Sequence, residues 1–240
     1  NDNSPSFSSD GKCIYFSSNR MSTLDIWSLN FTSGAGLALK TSSANISETH
    51  PRVSKNNVLV FSAMMTGSSI NQIWSKDLNT NDLFQLREGQ WPQWIDETGI
   101  LFSAQERNSG LWKVWRMDLD GANPLQITTG AEGSNIHASV SPDGKKIVFA
   151  SDRGKSKERK NYDIWMCDID GSNVVQLTTN GSQDDMPRFR SDGKTIFFRS
   201  NRGLKWDIWA MNLSTEKTKP VSTVALHTTV PAIVNYEFDT

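Results

Sequence analysis

The sequence predicts an all-β fold, a β-propeller of four-stranded antiparallel blades, and three observations support this prediction. First, Ser-Asp-Gly-Lys or Ser-Pro-Asp-Gly-Lys, an apolar run, Ser-Asn-Arg or Ser-Asp-Arg and then Asp-Ile-Trp follow one another in the repeats that contain Trp27, Trp165 and Trp209. Second, weaker copies contain Trp74 and Trp115, and the five tryptophans are 41 to 50 residues apart, which is the period of a propeller blade. Third, adjacent apolar residues around each tryptophan indicate a sheet that is packed on both faces.

Each repeat predicts the same four strands, A to D. Strand A is the short, innermost segment that follows a proline, or Ala138 in the fourth repeat. Asp-Gly then turns the chain into strand B, and the second and third repeats use 55–57 and 96–99 instead. Glycine and asparagine tolerate the left-handed φ of a tight hairpin. The Ile-Trp or Val-Trp run is strand C, and a second turn leads to strand D, which ends near a threonine.

The number of blades stays open between five and six. We place the repeats at about 4–41, 50–87, 91–129, 137–179 and 186–223, with a partial sixth at 229–240, all within one domain spanning 1–240. Six segments have the pattern of strand A, but only five have the B–C hairpin. Either five blades form the ring and the tail seals it, or a sixth blade is unfinished in this sequence.

Composition narrows the classes of function. A net charge of −1, with 21% charged residues, gives no field that would favour nucleic acid. No apolar run approaches the ~18 residues of a membrane span. The sequence contains no Gly-x-Ser-x-Gly motif and no phosphate-loop spacing. We therefore predict no catalytic residue and no cofactor.

The repeat resembles the TolB-type β-propeller repeat, a bacterial relative of the WD repeat. The resemblance covers about residues 4–234 and is strongest in the first, fourth and fifth repeats, whereas the second and third lack the Ser-Asp-Gly-Lys turn and the aspartate before Ile-Trp or Val-Trp. It implies a propeller that most often has six blades, and a periplasmic or otherwise extracytoplasmic location in the cell envelope. It also implies a scaffold for protein–protein interaction, or the propeller part of a larger protein such as a serine peptidase.

The repeats also predict an ion pair that fixes the B–C hairpin. The arginine that ends strand B and the aspartate that begins strand C are mostly kept or lost together, since the second repeat has neither. If partly exposed, such a pair contributes about 0.2–1 kcal/mol. The predicted pairs are Arg20–Asp25, Arg153–Asp163 and Arg202–Asp207.

The three histidines, His50, His137 and His227, lie near the predicted starts of strands A, which surround the mouth of the central channel. A metal or anion site there is conceivable. Polar residues at a solvated mouth are the favoured interpretation, because no acid spacing completes a known ligand set. We predict no metal, while the channel leaves room for a small-molecule ligand.

The B–C loops and D–A links emerge on one side of the ring, here called the mouth face, and they are longer and more varied than the A–B and C–D turns. Variable loops on a rigid scaffold usually carry binding, so we predict a protein partner at this face. The alternatives are a carbohydrate-active or lyase-type enzyme that acts at the channel mouth through His50 and His137, and the propeller part of a peptidase. The candidate binding residues are His50, Trp112, His137, Lys155, Lys157, Arg159, Asp184, Asp185 and Trp206.

Overall fold

The computed structural model shows antiparallel sheets, and every regular element in its described part is a strand. That part contains no helix of the length and apolarity that a membrane crossing requires. The structure describes residues 1–32, 34, 36–130, 133–154, 161–203, 205–215 and 217–221.

The first two sheets each take four consecutive strands in chain order, which is the arrangement of a propeller blade. Blade 1 consists of β1 (Asp2–Phe7), β2 (Cys13–Met21), β3 (Thr23–Asn30) and β4 (Leu37–Leu39). Blade 2 consists of β5 (Ile46–Val53), β6 (Val58–Met65), β7 (Asn71–Asp77) and β8 (Leu83–Glu88).

The remaining three sheets repeat this order, so the predicted five four-stranded blades are confirmed. The partial sixth repeat, 229–240, lies outside the described residues. Blade 3 consists of β9 (Gln90–Trp94), β10 (Gly99–Gln105), β11 (Trp112–Asp118) and β12 (Leu125–Gln126). Blade 4 consists of β13 (Asn135–Val140), β14 (Lys146–Ser151), β15 (Asp163–Asp168) and β16 (Val175–Gln176). Blade 5 consists of β17 (Asp184–Phe189), β18 (Thr195–Ser200), β19 (Asp207–Asn212) and β20 (Lys217–Pro220).

The turns between strands A and B follow the predicted chemistry. Gly11 has a φ of 67° in the first blade, and Asn57 reaches 60° in the second, where the sequence has no glycine. In the third blade Oδ1 of Asp96 accepts hydrogen bonds from the backbone N–H groups of Thr98 and Gly99, at 2.7 and 2.9 Å. Three different local solutions therefore give the same hairpin.

Each marker tryptophan on strand C lies opposite a phenylalanine on strand B, and the clusters around these pairs lie between neighbouring blades. The equivalence of the five tryptophans is confirmed by this register. The phenylalanines are the more deeply buried partners, with Phe149 fully inaccessible, whereas the tryptophans are half-buried. The pairs are Phe16–Trp27, Phe61–Trp74, Phe102–Trp115, Phe149–Trp165 and Phe198–Trp209.

Strands A are innermost, as predicted, because each contacts the strand A of the next blade along the series β1, β5, β9, β13 and β17. They begin earlier than predicted, before the proline or alanine rather than after it. His50 and His137 therefore lie inside strands and not at their starts, and Asp184 and Asp185 belong to β17 and not to the preceding link.

Blades 1 and 5 are the two ends of the described series. Their strands are not in extensive contact with each other within the described residues. An open cavity of about 470 Å³ lies between them, with Phe7 on one side and Phe197 on the other, and it extends inward to Arg52 and Arg188 on the channel. Within the described residues, the channel is thus open to one side.

Candidate functional site

One residue of every strand A has a left-handed backbone conformation. This residue directly precedes the proline or alanine, and its φ lies between 52° and 56° in all five blades. The pairing of strands A and B shifts register at the same point, which is the mark of a β-bulge that redirects side chains. The five residues are Ser4, His50, Trp91, His137 and Met186.

Three of these redirected side chains meet at the mouth face. Trp91 lies between His50 and His137, with ring centroids 6.2 and 4.5 Å away and edge-on geometry in both cases. Trp112, the first residue of β11, is 5.1 Å from Trp91. The structure therefore brings together His50, His137 and Trp112, which the sequence predicted on one face, through Trp91, which the sequence analysis missed. Alignment of the residues before each proline would have found it.

Both histidines of this mouth cluster (His50, Trp91, Trp112 and His137) are neutral near neutral pH. Burial, with the nearby cations Arg52 and Arg188, lowers the pKa of His50 to about 4. Burial and Arg188 lower the pKa of His137 to about 3. Nδ1 of His137 is buried and has no hydrogen-bond partner among the described residues, so it remains available to a ligand as a donor or an acceptor.

Two arginines that were not predicted as site residues from the sequence lie deeper in the channel. Arg52 and Arg188 occupy equivalent positions, two residues after the bulge residue in blades 2 and 5. One guanidinium nitrogen of each donates to the preceding prolyl carbonyl, at 2.6 and 2.8 Å. Burial and the facing Arg188 lower the pKa of Arg52 to about 9, so both groups remain cationic near neutral pH. The described residues place no carboxylate in an ion pair with either one.

The predicted acids of blade 5 are held by arginines. Asp185 accepts two hydrogen bonds from Arg199, at 2.8 and 2.7 Å, and this guanidinium lies 4.3 Å from the ring centroid of Trp206. Trp206 itself is 47% exposed. Asp184 is fully buried and pairs with Arg202 at 2.6 Å. Asp185, Arg199 and Trp206 therefore form a fixed group in which the indole is the exposed member.

The hairpin arginines adopt a shared geometry. Arg20, Arg153 and Arg202 each lie over the strand C tryptophan of their own blade, 4.7 to 5.0 Å from its ring centroid. Their Nε atoms donate to the serine two residues earlier, at 2.8 to 3.2 Å. Each hairpin arginine is thus fixed by a cation–π contact with the tryptophan and by a hydrogen bond to the serine hydroxyl.

Each of these arginines has an acceptor on strand A. Arg20 pairs with Asp2 at 2.9 Å, and the predicted Arg20–Asp25 pair is wrong because Asp25 is buried beside Thr23 instead. Arg202 reaches Asp184, and the Arg153 guanidinium donates to Oδ1 of Asn135 at 2.8 Å. The sequence analysis missed this contact because Asp2, Asn135 and Asp184 precede the residues that define the repeat.

Glu48 is a buried acid with a raised pKa. Burial raises it to about 7. Its carboxyl is hydrogen-bonded to Thr41 of the D–A link before β5, so it faces blade 1 rather than the two histidines. Among the described residues, no group of three or more His, Cys, Asp or Glu side chains converges as a metal site. Lys155, Lys157, Arg159 and His227 lie outside the described residues.

Comparison with known proteins gives likeness of structure only. No protein-family model and no curated protein matches the chain. TolB from Acinetobacter baumannii is 22% identical with a TM-score of 0.77, over 91% of this chain and 53% of that one. A protein assigned as TolB from Agrobacterium tumefaciens is 17% identical with a TM-score of 0.74, over 92% of this chain and 80% of that one.

An enzyme with a propeller is also similar. A puromycin-hydrolysing peptidase from Mycobacterium tuberculosis is 12% identical with a TM-score of 0.71, over 92% of this chain and 36% of that one. The chain thus spans about half the length of the first TolB structure and about a third of the peptidase. From its repeat, its blades and these neighbours, the chain has the fold of the TolB-type β-propellers.

Proposed function

We propose that this chain is a non-catalytic propeller scaffold that binds a protein partner through its mouth face, in the periplasm or another extracytoplasmic compartment. The observation that carries the proposal is the group formed by Asp185, Arg199 and Trp206. Asp185 fixes the guanidinium of Arg199 by two hydrogen bonds, and the exposed indole of Trp206 lies against that guanidinium. Tryptophan and arginine dominate the binding energy of protein interfaces. The likeness to TolB supports both the scaffold role and the location.

The mouth cluster extends this surface. The ring centroids of Trp112 and Trp91 lie 5.1 Å apart, with the rings tilted by 53°. Aromatic side chains held in one conformation lose little entropy when a partner covers them. Exposed aromatic residues beside fixed charges, on rigid blades, match the composition of the core of a protein interface.

The geometry of the titratable groups favours binding over catalysis. An acid–base enzyme needs two such groups within reach of one substrate position. His50 and His137 face arginines and Trp91, and Glu48 is directed to Thr41. This arrangement supports the scaffold over a carbohydrate-active or lyase-type enzyme.

The peptidase likeness supports a second candidate, the propeller part of a larger enzyme. It rests on the match to about a third of the Mycobacterium tuberculosis peptidase. In that case the mouth face would contact a catalytic domain of the same protein, which is again a protein interface.

The test is site-specific photo-crosslinking in the native host. A crosslinking residue replaces Trp206 on the mouth face, and the matched control replaces Lys194, which lies beside the A–B turn of the same blade. We expect one protein to be captured from position 206 and not from 194. Capture from 194 alone would contradict the proposed face, and release of a sugar or peptide product by the purified chain would contradict a non-catalytic role.

Charge reversal on the two faces provides a second comparison. We expect reversal of Lys155, Lys157 and Arg159 to weaken capture of that same protein, because these basic residues belong to the longest B–C loop. Reversal of Lys145 and Lys194, beside the tight A–B turns, should leave capture unchanged. The opposite pattern would place the partner on the other face.

A further inference from the structure

The central channel contains an uncompensated pair of cations. Arg52 and Arg188 line one cavity and repel each other, and the described residues provide no acid to either. Arg199 lines the same cavity, but both oxygens of Asp185 bind it. Two partly buried guanidiniums without a counter-charge are unfavourable, so an anion between them would be strongly stabilised.

The free donors of these arginines suit an oxyanion. A guanidinium has five N–H donors in a rigid fork. Within the described part of the structure, the hydrogen bonds of Arg52 and Arg188 engage only the Nη1 atoms. A carboxylate can accept two parallel hydrogen bonds from such a fork. Gln93 occupies the equivalent position in blade 3, and its Nε2 is buried with no partner among the described residues. It offers a further donor beside the two arginines.

The shape and lining of the cavity indicate which chemical group is attached to the anion. The volume of about 470 Å³ falls within the usual range of ligand sites, ~300–1,000 Å³. Away from the arginines the wall is apolar, and it consists of Pro5, Phe7, Phe189, Phe197, Phe198 and Ile208, with Met186. A ligand that is anionic at one end and apolar at the other uses both parts, whereas inorganic phosphate leaves the aromatic wall uncovered.

We propose that the channel binds an organic carboxylate, with the carboxylate between Arg52 and Arg188 and an aromatic or aliphatic body in the cavity between blades 1 and 5. The carboxylate has two sources. One is a small molecule, and the other is the acidic segment of this chain itself, since Glu237 and Asp239 belong to residues 222–240. In both cases the recognised group is the same.

Calorimetric titration of the full chain distinguishes the chemical class. The probes are 2-naphthoate, its neutral isostere 2-naphthamide, and inorganic phosphate. We expect naphthoate to bind at least about tenfold more tightly than either of the others, because only naphthoate carries both the charge and the apolar body. Equal binding of the amide, or tighter binding of phosphate, would overturn the assignment.

Variants then locate the site. Arg188→Gln and Arg52→Gln should each weaken naphthoate binding about tenfold or more, while Arg116→Gln, which removes an exposed arginine of β11, should leave it unchanged. Loss of an unpaired cation should not lower the melting temperature, so thermal unfolding separates lost binding from lost folding. Naphthoate binding that survives in the Arg52→Gln/Arg188→Gln protein would overturn the site.

The acidic segment is tested in the same assay. In a full-length Glu237→Gln/Asp239→Asn variant, unchanged affinity for naphthoate identifies a small molecule as the ligand. Increased affinity identifies the chain's own carboxylates as a competitor for the same arginines, which also supports the site. If neither the original chain nor this variant binds naphthoate, the proposal is wrong.

Discussion

Blades 1, 4 and 5 and blades 2 and 3 build the same sheet with different polar chemistry. In the first group an arginine lies over the strand C tryptophan. Blade 2 has Met65 where this arginine would be. Two residues before the strand C tryptophan, blade 3 has the fully buried Lys113, where blade 2 has Gln72 and the others have an aspartate. The phenylalanine–tryptophan pair occurs in all five. The cross-strand aromatic pair is therefore common to the blades, and the charged hairpin is replaceable.

Blade 3 shows how one substitution is compensated. Nζ of Lys113 donates to the carbonyl oxygens of Gly130 and Gly133, at 2.7 and 3.1 Å. Burial lowers the pKa of this lysine. In blade 4 the equivalent Asp163 accepts instead from Nε2 of Gln176, at 2.9 Å. The hydrogen-bond roles are thus exchanged, since residue 113 donates to acceptors in blade 3 and residue 163 accepts from a donor in blade 4.

The largest effect is expected from a variant in which residue 113 no longer suits its hydrogen-bond partners. Lys113→Asp, which inserts the blade 4 residue into blade 3, should destabilise the protein by about 3–5 kcal/mol, because a buried carboxylate would face two carbonyl oxygens. Chemical denaturation measures the loss. As a control, Lys113→Gln inserts the blade 2 residue and should cost only about 1–3 kcal/mol through lost hydrogen bonds. Equal losses for the two variants would show that the carbonyl oxygens do not select the charge.

The bulge position gives a second comparison, because blade 4 has His137 where blade 5 has Met186. Since burial and Arg188 lower the pKa of His137 to about 3 from 6.5, the unfolded chain binds a proton that the folded chain excludes. The stabilising effect is complete above pH 6.5 and is lost as the pH falls toward 3. The free energy of unfolding should therefore drop by about 2–3 kcal/mol between pH 6.5 and 4 through this residue, and His137→Met should remove that part.

Glu48 is a control, because the change of stability with pH that it is expected to cause has the opposite direction. Burial raises its pKa to about 7 from 4.5, so its contribution is complete below pH 4.5 and is lost as the pH rises through 7. Glu48→Gln should therefore improve relative stability at alkaline pH, where His137→Met has no such effect. If the two variants change the pH dependence of the free energy of unfolding in the same direction, burial does not control the pKa of one of these groups.

The smallest expected effect concerns the ion pair between the hairpin arginine and an aspartate of strand A, which occurs in blades 1 and 5. Arg202 and Asp184 have side chains that are 15% and 0% exposed, whereas Arg20 and Asp2 are 29% and 57% exposed. A double-mutant cycle should give about 1–3 kcal/mol for the buried pair, as for hydrogen bonds to charged groups, and about 0.2–1 kcal/mol for the exposed one. A coupling of Arg202 to Asp184 no larger than that of Arg20 to Asp2 would contradict the expected effect of burial.

The fold could be predicted because local sequence marks the strands: Asp-Gly turns occur in the first, fourth and fifth repeats, and an Ile-Trp or Val-Trp strand occurs in all five. Much of the site could not be predicted. The role of Trp91, and of Arg52 and Arg188, depends on a bulge that turns side chains inward, and a regular period of two residues gives no sign of it. The contact of Arg202 with Asp184 was also missed, because Asp184 lies 18 positions earlier and only the register of strands A and B brings the two together.

The left-handed residue in each strand A also bears on how such a ring can change. A non-glycine residue in this conformation is disfavoured by about 1–2 kcal/mol, a penalty that glycine avoids, yet the chain has serine, histidine, tryptophan, histidine and methionine there. The same backbone thus accepts very different side chains in five places. A substitution at one of them alters the lining of the channel without altering strand pairing, so the specificity of the ring can diverge, or be redesigned, one blade at a time.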